Sequence, residues 1–266
     1  MTRVAVIGHI EWVDFIPVDH VPSAGEVEHA IGAFARAAGG GGVVAGVLAE
    51  LGAEVDFFCA LGRDAHGEAS VAQLAQQGVS MHVAWRGETT RRAVTFLDKW
   101  RERTIVTIGE RLQPAGSDPI DWQRLRGADG VYFTAGDADA LRRAREAHVV
   151  VASPRGRAAL EHEGPRIDAL VFSRRDASEL AWAERVAKRA RLLVATDGAH
   201  GGSWWGESSG RWSAAPLPGE PRDAYGCGDS FAAGFTFGLA SGLSVADAAG
   251  LGAECGARCL TRAGAP

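Results

Sequence analysis

Lysine is nearly missing from this chain of 266 residues: Lys99 and Lys188 are the only two. Positive charge rests instead on arginines scattered along the sequence, with no basic tail or block, and the formal net charge is -5. A nucleic-acid backbone needs a concentrated basic face, so no nucleic-acid partner is expected. Long apolar runs are missing too. Gly, Glu, Asp or Arg break the richest segments before they reach the roughly eighteen residues a membrane helix requires, so no membrane partner is expected either. No basic, apolar leader opens the sequence; Met1-Thr-Arg-Val-Ala-Val-Ile-Gly8 already reads as a core strand, and a cytoplasmic protein is expected. Cysteine is scarce. Cys59, Cys227, Cys255 and Cys259 form no CxxC pair, and no histidine stands near Cys255 and Cys259 to complete a metal set, so small buried thiols are the simpler reading.

Glycine, by contrast, is plentiful, at 35 residues in a chain that is 46% hydrophobic. Length and composition together suit one large α/β domain over residues 1–266, with room for a small appendage. From Gly130 onward short apolar strands alternate with helical stretches, which implies a parallel sheet covered by helices on both faces. Its ligands are then expected beyond the carboxyl ends of the strands, where Ser173, Asp176, Thr196 and Gly198 fall. Glu11 to Ala30 behaves differently, mixing polar and apolar residues in short extended pieces. Thr89–Leu97 and Thr104–Ile108 are β-branched, alternating runs across a charged turn, as in a hairpin. Segments 11–30 and 85–108 are expected to join as a small sheet that closes over the body as a lid. Trp204, Trp205 and Trp212 suggest a further hairpin, whose rings are expected to pack on the body.

Two glycine clusters stand out. Gly39 to Gly42 precede a helix expected over Val43–Leu51; inside a helix each glycine would cost about 1 kcal/mol relative to alanine, so a ligand resting on bare backbone is the economical explanation, with a flexible loop tip as the alternative. Near the end, Asp223-Ala-Tyr-Gly-Cys-Gly-Asp229 runs into the small, apolar Ala232 to Ala240. Free N–H groups at such a helix start attract an anion, and Gly226 and Gly228 admit a phosphate without steric obstruction. Asp229 would face that anion. A carboxylate there makes electrostatic sense as the base that takes a proton from an attacking hydroxyl, which is phosphotransfer chemistry; a plain N-cap is the bland alternative. A nicotinamide-dependent oxidoreductase is disfavoured, because Gly8-His-Ile-Glu-Trp lacks the glycine series of a pyrophosphate turn.

In this order the motifs resemble those of the ribokinase-like carbohydrate kinase family, also called the PfkB family, over nearly the whole chain. Asp223–Asp229 is similar to its Asp-Thr-x-Gly-Ala-Gly-Asp signature, Gly39–Gly42 with Ala60-Leu-Gly62-Arg-Asp64-Ala-His-Gly67 to its N-terminal signature, and Thr196-Asp-Gly198-Ala-His-Gly201 to its nucleotide-side turn. The resemblance implies a three-layer ribokinase-like α/β fold with a mostly parallel central sheet and a β-sheet lid. It implies ATP-dependent transfer to a hydroxymethyl group of a sugar or sugar-like acceptor, with Asp229 as base and Gly226, Cys227 and Gly228 as anion hole. Asp14, Gly40, Gly41, Gly42, Val43 and Arg92 become acceptor-side candidates, Arg91 and Arg92 having a solvated hairpin face as the competing reading. Ser173, Thr196, Gly198, Gly201 and Cys255 become donor-side candidates, and Asp176 the ligand of Mg²⁺. A monovalent cation and a homodimer through the lid belong to the same set of expectations.

The chain departs from the family where Ser173-Arg-Arg-Asp176 replaces Asn-x-x-Glu, Ala224 a threonine, Cys227 an alanine, and Val43 a sugar-binding asparagine. A nucleoside kinase, with Trp12, Phe15 and Trp100 walling the base, and a catalytically impaired sugar- or nucleotide-binding protein are therefore carried as alternatives.

Overall fold

The structure, a computed structural model, describes residues 1–30, 32–100 and 102–265. Its first strand, β1 (Arg3–Ile7), is almost wholly buried. β2 (Glu11–Pro17) alternates buried and half-buried residues, and β3 (Phe34–Ala38) pairs back on it antiparallel. Helix α1 (Gly39–Glu50) follows at once. The four glycines are thus its first turn and not a loop ahead of Val43. Bare backbone is required there by packing: a Cβ at Gly41 would stand 2.7 Å from both the His9 carbonyl oxygen and the Phe57 ring.

β4 (Glu54–Gly62), α2 (Ala65–Gln76) and β5 (Val79–Arg86) continue the main body. β6 (Arg92–Leu97) and β7 (Arg103–Ile108) form the expected antiparallel hairpin. Beyond it come β8 (Gly130–Phe133), α3 (Ala138–Ala144), β9 (Val149–Ala152), α4 (Arg157–Glu161), β10 (Ile167–Ser173), α5 (Ala177–Arg185) and β11 (Ala190–Thr196). The tryptophan hairpin is β12 (Gly202–Gly206) and β13 (Gly210–Trp212), and α6 (Cys227–Ala240) and α7 (Val245–Leu260) end the fold.

The large sheet has nine strands in the order β13-β12-β11-β10-β9-β8-β1-β4-β5, parallel except at the β12–β13 edge. One apolar cluster lies between its face and α1, α6 and α7, and a second packs the opposite face around Leu141, Leu160 and Trp182. This is the expected three-layer α/β arrangement. β1 is flanked by β4 on one side and β8 on the other, so the chain reverses its direction of travel across the sheet there. Such a reversal opens a crevice at the carboxyl ends of the strands.

The small sheet has four strands in the order β3-β2-β6-β7. Its β3 strand is a short alanine-rich run that sequence patterning did not single out, whereas β5 belongs to the edge of the large sheet. Trp204 stacks on Trp212, which stacks on Phe231 of α6, so the hairpin packs on the body as expected. The glycine- and alanine-rich faces of α6 and α7 are explained by contact: a Cβ on Gly234 would stand 3.0 Å from the Cα of Gly252. Among the described residues no helix is long and apolar enough to cross a membrane.

Candidate active site

A cleft of about 680 Å³ runs along the carboxyl ends of the parallel strands. His9 follows β1, Ser153 and Arg155 follow β9, Ser173 closes β10 and Thr196 closes β11; all of them line it. The start of α6 forms one wall, with Gly226, Cys227, Gly228 and Asp229 exposed to the cleft together.

Gly226 caps α6 at φ +75°, a left-handed conformation that glycine adopts without strain. No side chain caps this helix. The Cys227 N–H reaches only the Ala224 carbonyl at 3.5 Å, and the Gly228 and Asp229 N–H groups find no acceptor among the described residues. A Cβ on Gly228 would meet nothing within 4 Å. Free N–H groups, an aligned helix dipole and open space are the features that an anion site requires. Asp223 stabilises the turn from behind: its buried carboxylate accepts from the Tyr225 N–H and from the Gly264 N–H, both at 2.8 Å. Burial pushes that carboxyl upward, although both N–H groups favour its charged form.

The two glycine clusters meet. The Tyr225 hydroxyl accepts from the Gly39 N–H at 3.2 Å, and the Val43 side chain packs against Gly226. Val43 is fully buried, so its place in the family's sugar-contacting position is here a core contact. Gly39 and Gly40 line the cleft; Gly41 and Gly42 do not. Gly40 is the one that faces chemistry, since a Cβ there would stand 3.2 Å from Asp229 Oδ1 and 3.3 Å from Arg155 Nη1.

Asp14 and Arg92 form an ion pair of 2.8 Å, away from the cleft. The acceptor-side candidates Asp14 and Arg92 thus do not line the cleft, for a reason of period. Side chains alternate across a strand, so the cleft-facing members are Glu11 on β2 and Arg91 before β6, with Arg103, Ile105 and Thr107 on β7. Arg91 Nε lies 3.0 Å from Glu11 Oε1, without the alignment of a hydrogen bond.

Asp229 is largely buried, and its Oδ1 accepts from Arg155 Nη1 at 2.7 Å. The carboxylate holds the Arg155 guanidinium charged, raising its pKa. His9 accepts weakly from the Gly40 N–H at 3.4 Å through Nε2. Burial first, then Arg111, Arg155 and Arg91, hold its pKa well below the ordinary value of 6.5, so the ring is neutral. No motif pointed to His9, Arg111 or Arg155, which follow strand ends or lie in a loop and meet only through the fold.

At the far end, Asp176 caps α5: Oδ1 accepts from the Ser178 and Glu179 N–H groups and the Ser178 hydroxyl, bonds that lower its pKa. Glu179, unforeseen from sequence, also lines the cleft and accepts from the Ser173 N–H at 2.9 Å. Among the described residues no three His, Cys, Asp or Glu side chains converge as a metal cage. Thr196 and Gly198 line this end. Gly201 does not: a Cβ there would strike the Trp212 carbonyl oxygen at 2.1 Å, so it is required by the β-hairpin. Cys255 is buried between α6 and α7, its sulfur beside Gly234, and does not line the cleft.

The chain is similar to known proteins. Over 84 residues the chain is 48% identical to acarbose 7(IV)-phosphotransferase of Actinoplanes sp., covering 29% of the chain and 28% of that enzyme. Over 164 residues it is 29% identical to the ATP-dependent ribose-1-phosphate kinase of Halopiger xanaduensis, covering 59% of the chain and 55% of that enzyme. The matches thus span less than two-thirds of these relatives' own lengths. In fold, it superposes on Arabidopsis thaliana ribokinase complexed with ribose and ATP, at a TM-score of 0.77 and 20% identity, covering all of this chain and 95% of that one. The profile of the pfkB family carbohydrate kinases matches residues 1–266, from the first strand to the end of the sequence, and the chain therefore belongs to the pfkB family of carbohydrate kinases.

Proposed function

We propose that this protein transfers the γ-phosphoryl group of ATP to a hydroxymethyl group of a sugar-like acceptor, with Asp229 as the general base. The observation that carries the reading is the coincidence of Asp229 with N–H groups unpartnered among the described residues at the start of α6, in one cleft that also holds Glu11, Gly40, Ser173 and Thr196. A phosphoryl group resting on Gly226, Cys227 and Gly228 would sit beside the carboxylate, and the acceptor hydroxyl would reach it from the side of Glu11 and Gly40. Asp229 takes the hydroxyl proton as the oxygen attacks in line, and the helix start receives the charge that develops on the phosphoryl oxygens. Closure of the small sheet would keep water from competing.

Ser173, Thr196 and Gly198 are assigned to the donor. Mg²⁺ fits the carboxylates of Asp176 and Glu179, each of which keeps an oxygen free of backbone bonds. With so few protein ligands, the ion would be held mainly by phosphates and water, and it would supply charge neutralisation at the bridging oxygens. A monovalent cation, a cytoplasmic location and a homodimer through the exposed outer strand β7 belong to the same reading.

The three aromatic residues expected to wall a nucleoside's base stand elsewhere. Trp12 stacks on His66, Phe15 is buried against Phe34 and Tyr225, and Trp100 lies 67% exposed beside Lys99; none of the three lines the cleft.

The test is to supply sugars, sugar derivatives and nucleosides with ATP and Mg²⁺, following ADP release and product mass. A product heavier by one phosphoryl group, lost in Asp229→Asn, is expected. Ligand-dependent melting shifts without any product would instead identify a binding protein.

A further inference from the structure

The acceptor end of the cleft is furnished with guanidinium groups where a neutral sugar would need carboxylates and amides. The sequence contains no asparagine, and none of its glutamines lines the cleft. Its two carboxylates there, Glu11 and Asp229, each already face an arginine, Arg91 and Arg155, through one oxygen. Two cations are left over. Arg103 is bonded only to the Ala224 carbonyl oxygen, at 2.9 Å, and Arg111 has no ion pair among the described residues. Arg111 stands on the loop after β7 and lines the cleft, with Glu11, Arg91, Arg155 and Arg157 as the charges that act on it.

Resting on the kinase reading, we infer that the acceptor already carries an oxyanion, a phosphate ester or a carboxylate, which Arg111 binds together with Arg91 and Arg103. Arginine's planar fork matches either oxyanion with paired, charge-assisted hydrogen bonds. The uncompensated charge supports this assignment from a second direction. Burial and the cations Arg91, Arg155 and Arg157 lower the pKa of Arg111, with Glu11 opposing them, so the pocket places like charges near one another at a cost that an incoming anion relieves. A donor triphosphate does not satisfy the same groups, because its terminal phosphoryl group is assigned to the α6 start and its remaining phosphates extend toward Thr196.

The experiment compares binding before turnover. A phosphorylated sugar, the corresponding sugar acid and the neutral parent are titrated calorimetrically into the wild-type protein and into Arg111→Gln, with ATP titrated in parallel. At least one anionic ligand should bind more tightly than the neutral parent, losing affinity on the order of ten- to a hundredfold in the variant while ATP affinity is unchanged. Which anion binds distinguishes ester from carboxylate. Equal or tighter binding of the neutral sugar, or a variant that loses ATP affinity instead, would overturn the inference. Because binding is read directly, an absence of turnover with every acceptor would count against the kinase reading alone.

Discussion

Arg155 and Asp229 are joined through one oxygen: Arg155 Nη1 lies 2.7 Å from Asp229 Oδ1, while Oδ2 accepts no hydrogen bond among the described residues. The carboxylate is held in place and still has an oxygen for a substrate hydroxyl. Replacing it by an amide removes the proton acceptor and leaves the shape. Asp229→Asn should lower kcat by roughly two to four orders of magnitude. ATP-induced melting shifts should persist, since the Arg155 side chain is 42% exposed and water can take the place of the lost charge. Wild-type turnover in this variant would exclude the proposed base.

Arg155 should act as a positioning residue. Its contact to Asp229 is through a single nitrogen, so lysine can reproduce part of it and glutamine cannot reproduce its charge. Arg155→Gln is expected to lose kcat by about tenfold or more, and Arg155→Lys to recover much of it. Equal rates in the two variants would show that the charge is irrelevant.

Adjacent glycines of α1 should fail in different ways. At Gly40 a methyl group would crowd Asp229 Oδ1 at 3.2 Å and Arg155 Nη1 at 3.3 Å, which are side-chain atoms able to shift. Gly40→Ala should therefore lose activity with little change in Tm. At Gly41 it would meet backbone and an aromatic ring at 2.7 Å, so Gly41→Ala should destabilise by about 1–3 kcal/mol. Thermal melting and kcat measured on both variants check the contrast.

Gly228→Ala is a cleaner probe of the anion site. The position is helical and open, so the methyl group enters without a clash and the fold should be as stable or slightly more so. Its effect should be on phosphate approach, seen as a fall in kcat/KM for ATP with Tm unchanged or raised. An unaltered kcat/KM would place the phosphoryl group elsewhere.

His9 should tie stability to pH. Its folded pKa lies below that of the unfolded chain, so below about 6.5 the unfolded state takes up a proton that the native state refuses. This contribution to stability is therefore present at neutral pH and is lost as pH falls. His9→Gln should be less stable at pH 7 and should show a shallower decline of Tm toward pH 5; parallel declines in the two proteins would remove His9 from the account.

Local chemistry made much of this protein legible from sequence. The strand-helix rhythm after Gly130 gave the parallel sheet, because continuous apolar strands can only be buried on both faces. The Gly226 to Asp229 turn was recognisable because glycines ahead of a helix and an acid in its first turn carry their meaning in adjacent residues. What depended on longer range was decided by the tertiary structure. Whether Glu11 or Asp14, and Arg91 or Arg92, faced the cleft hung on strand register, in which a shift of one residue exchanges the two faces. Gly39 to Gly42 were expected to serve a ligand, yet Gly41 is explained by the His9 carbonyl and Phe57, neighbours supplied by other strands. Cys255 and Gly201 stand outside the cleft's lining because of packing that only the paired helices and the hairpin reveal. The arginine cluster is the extreme case. Arg91, Arg103, Arg111 and Arg155 are spread over four segments and form no motif, and their shared charge is a property of one cleft only because the fold brings the four segments together.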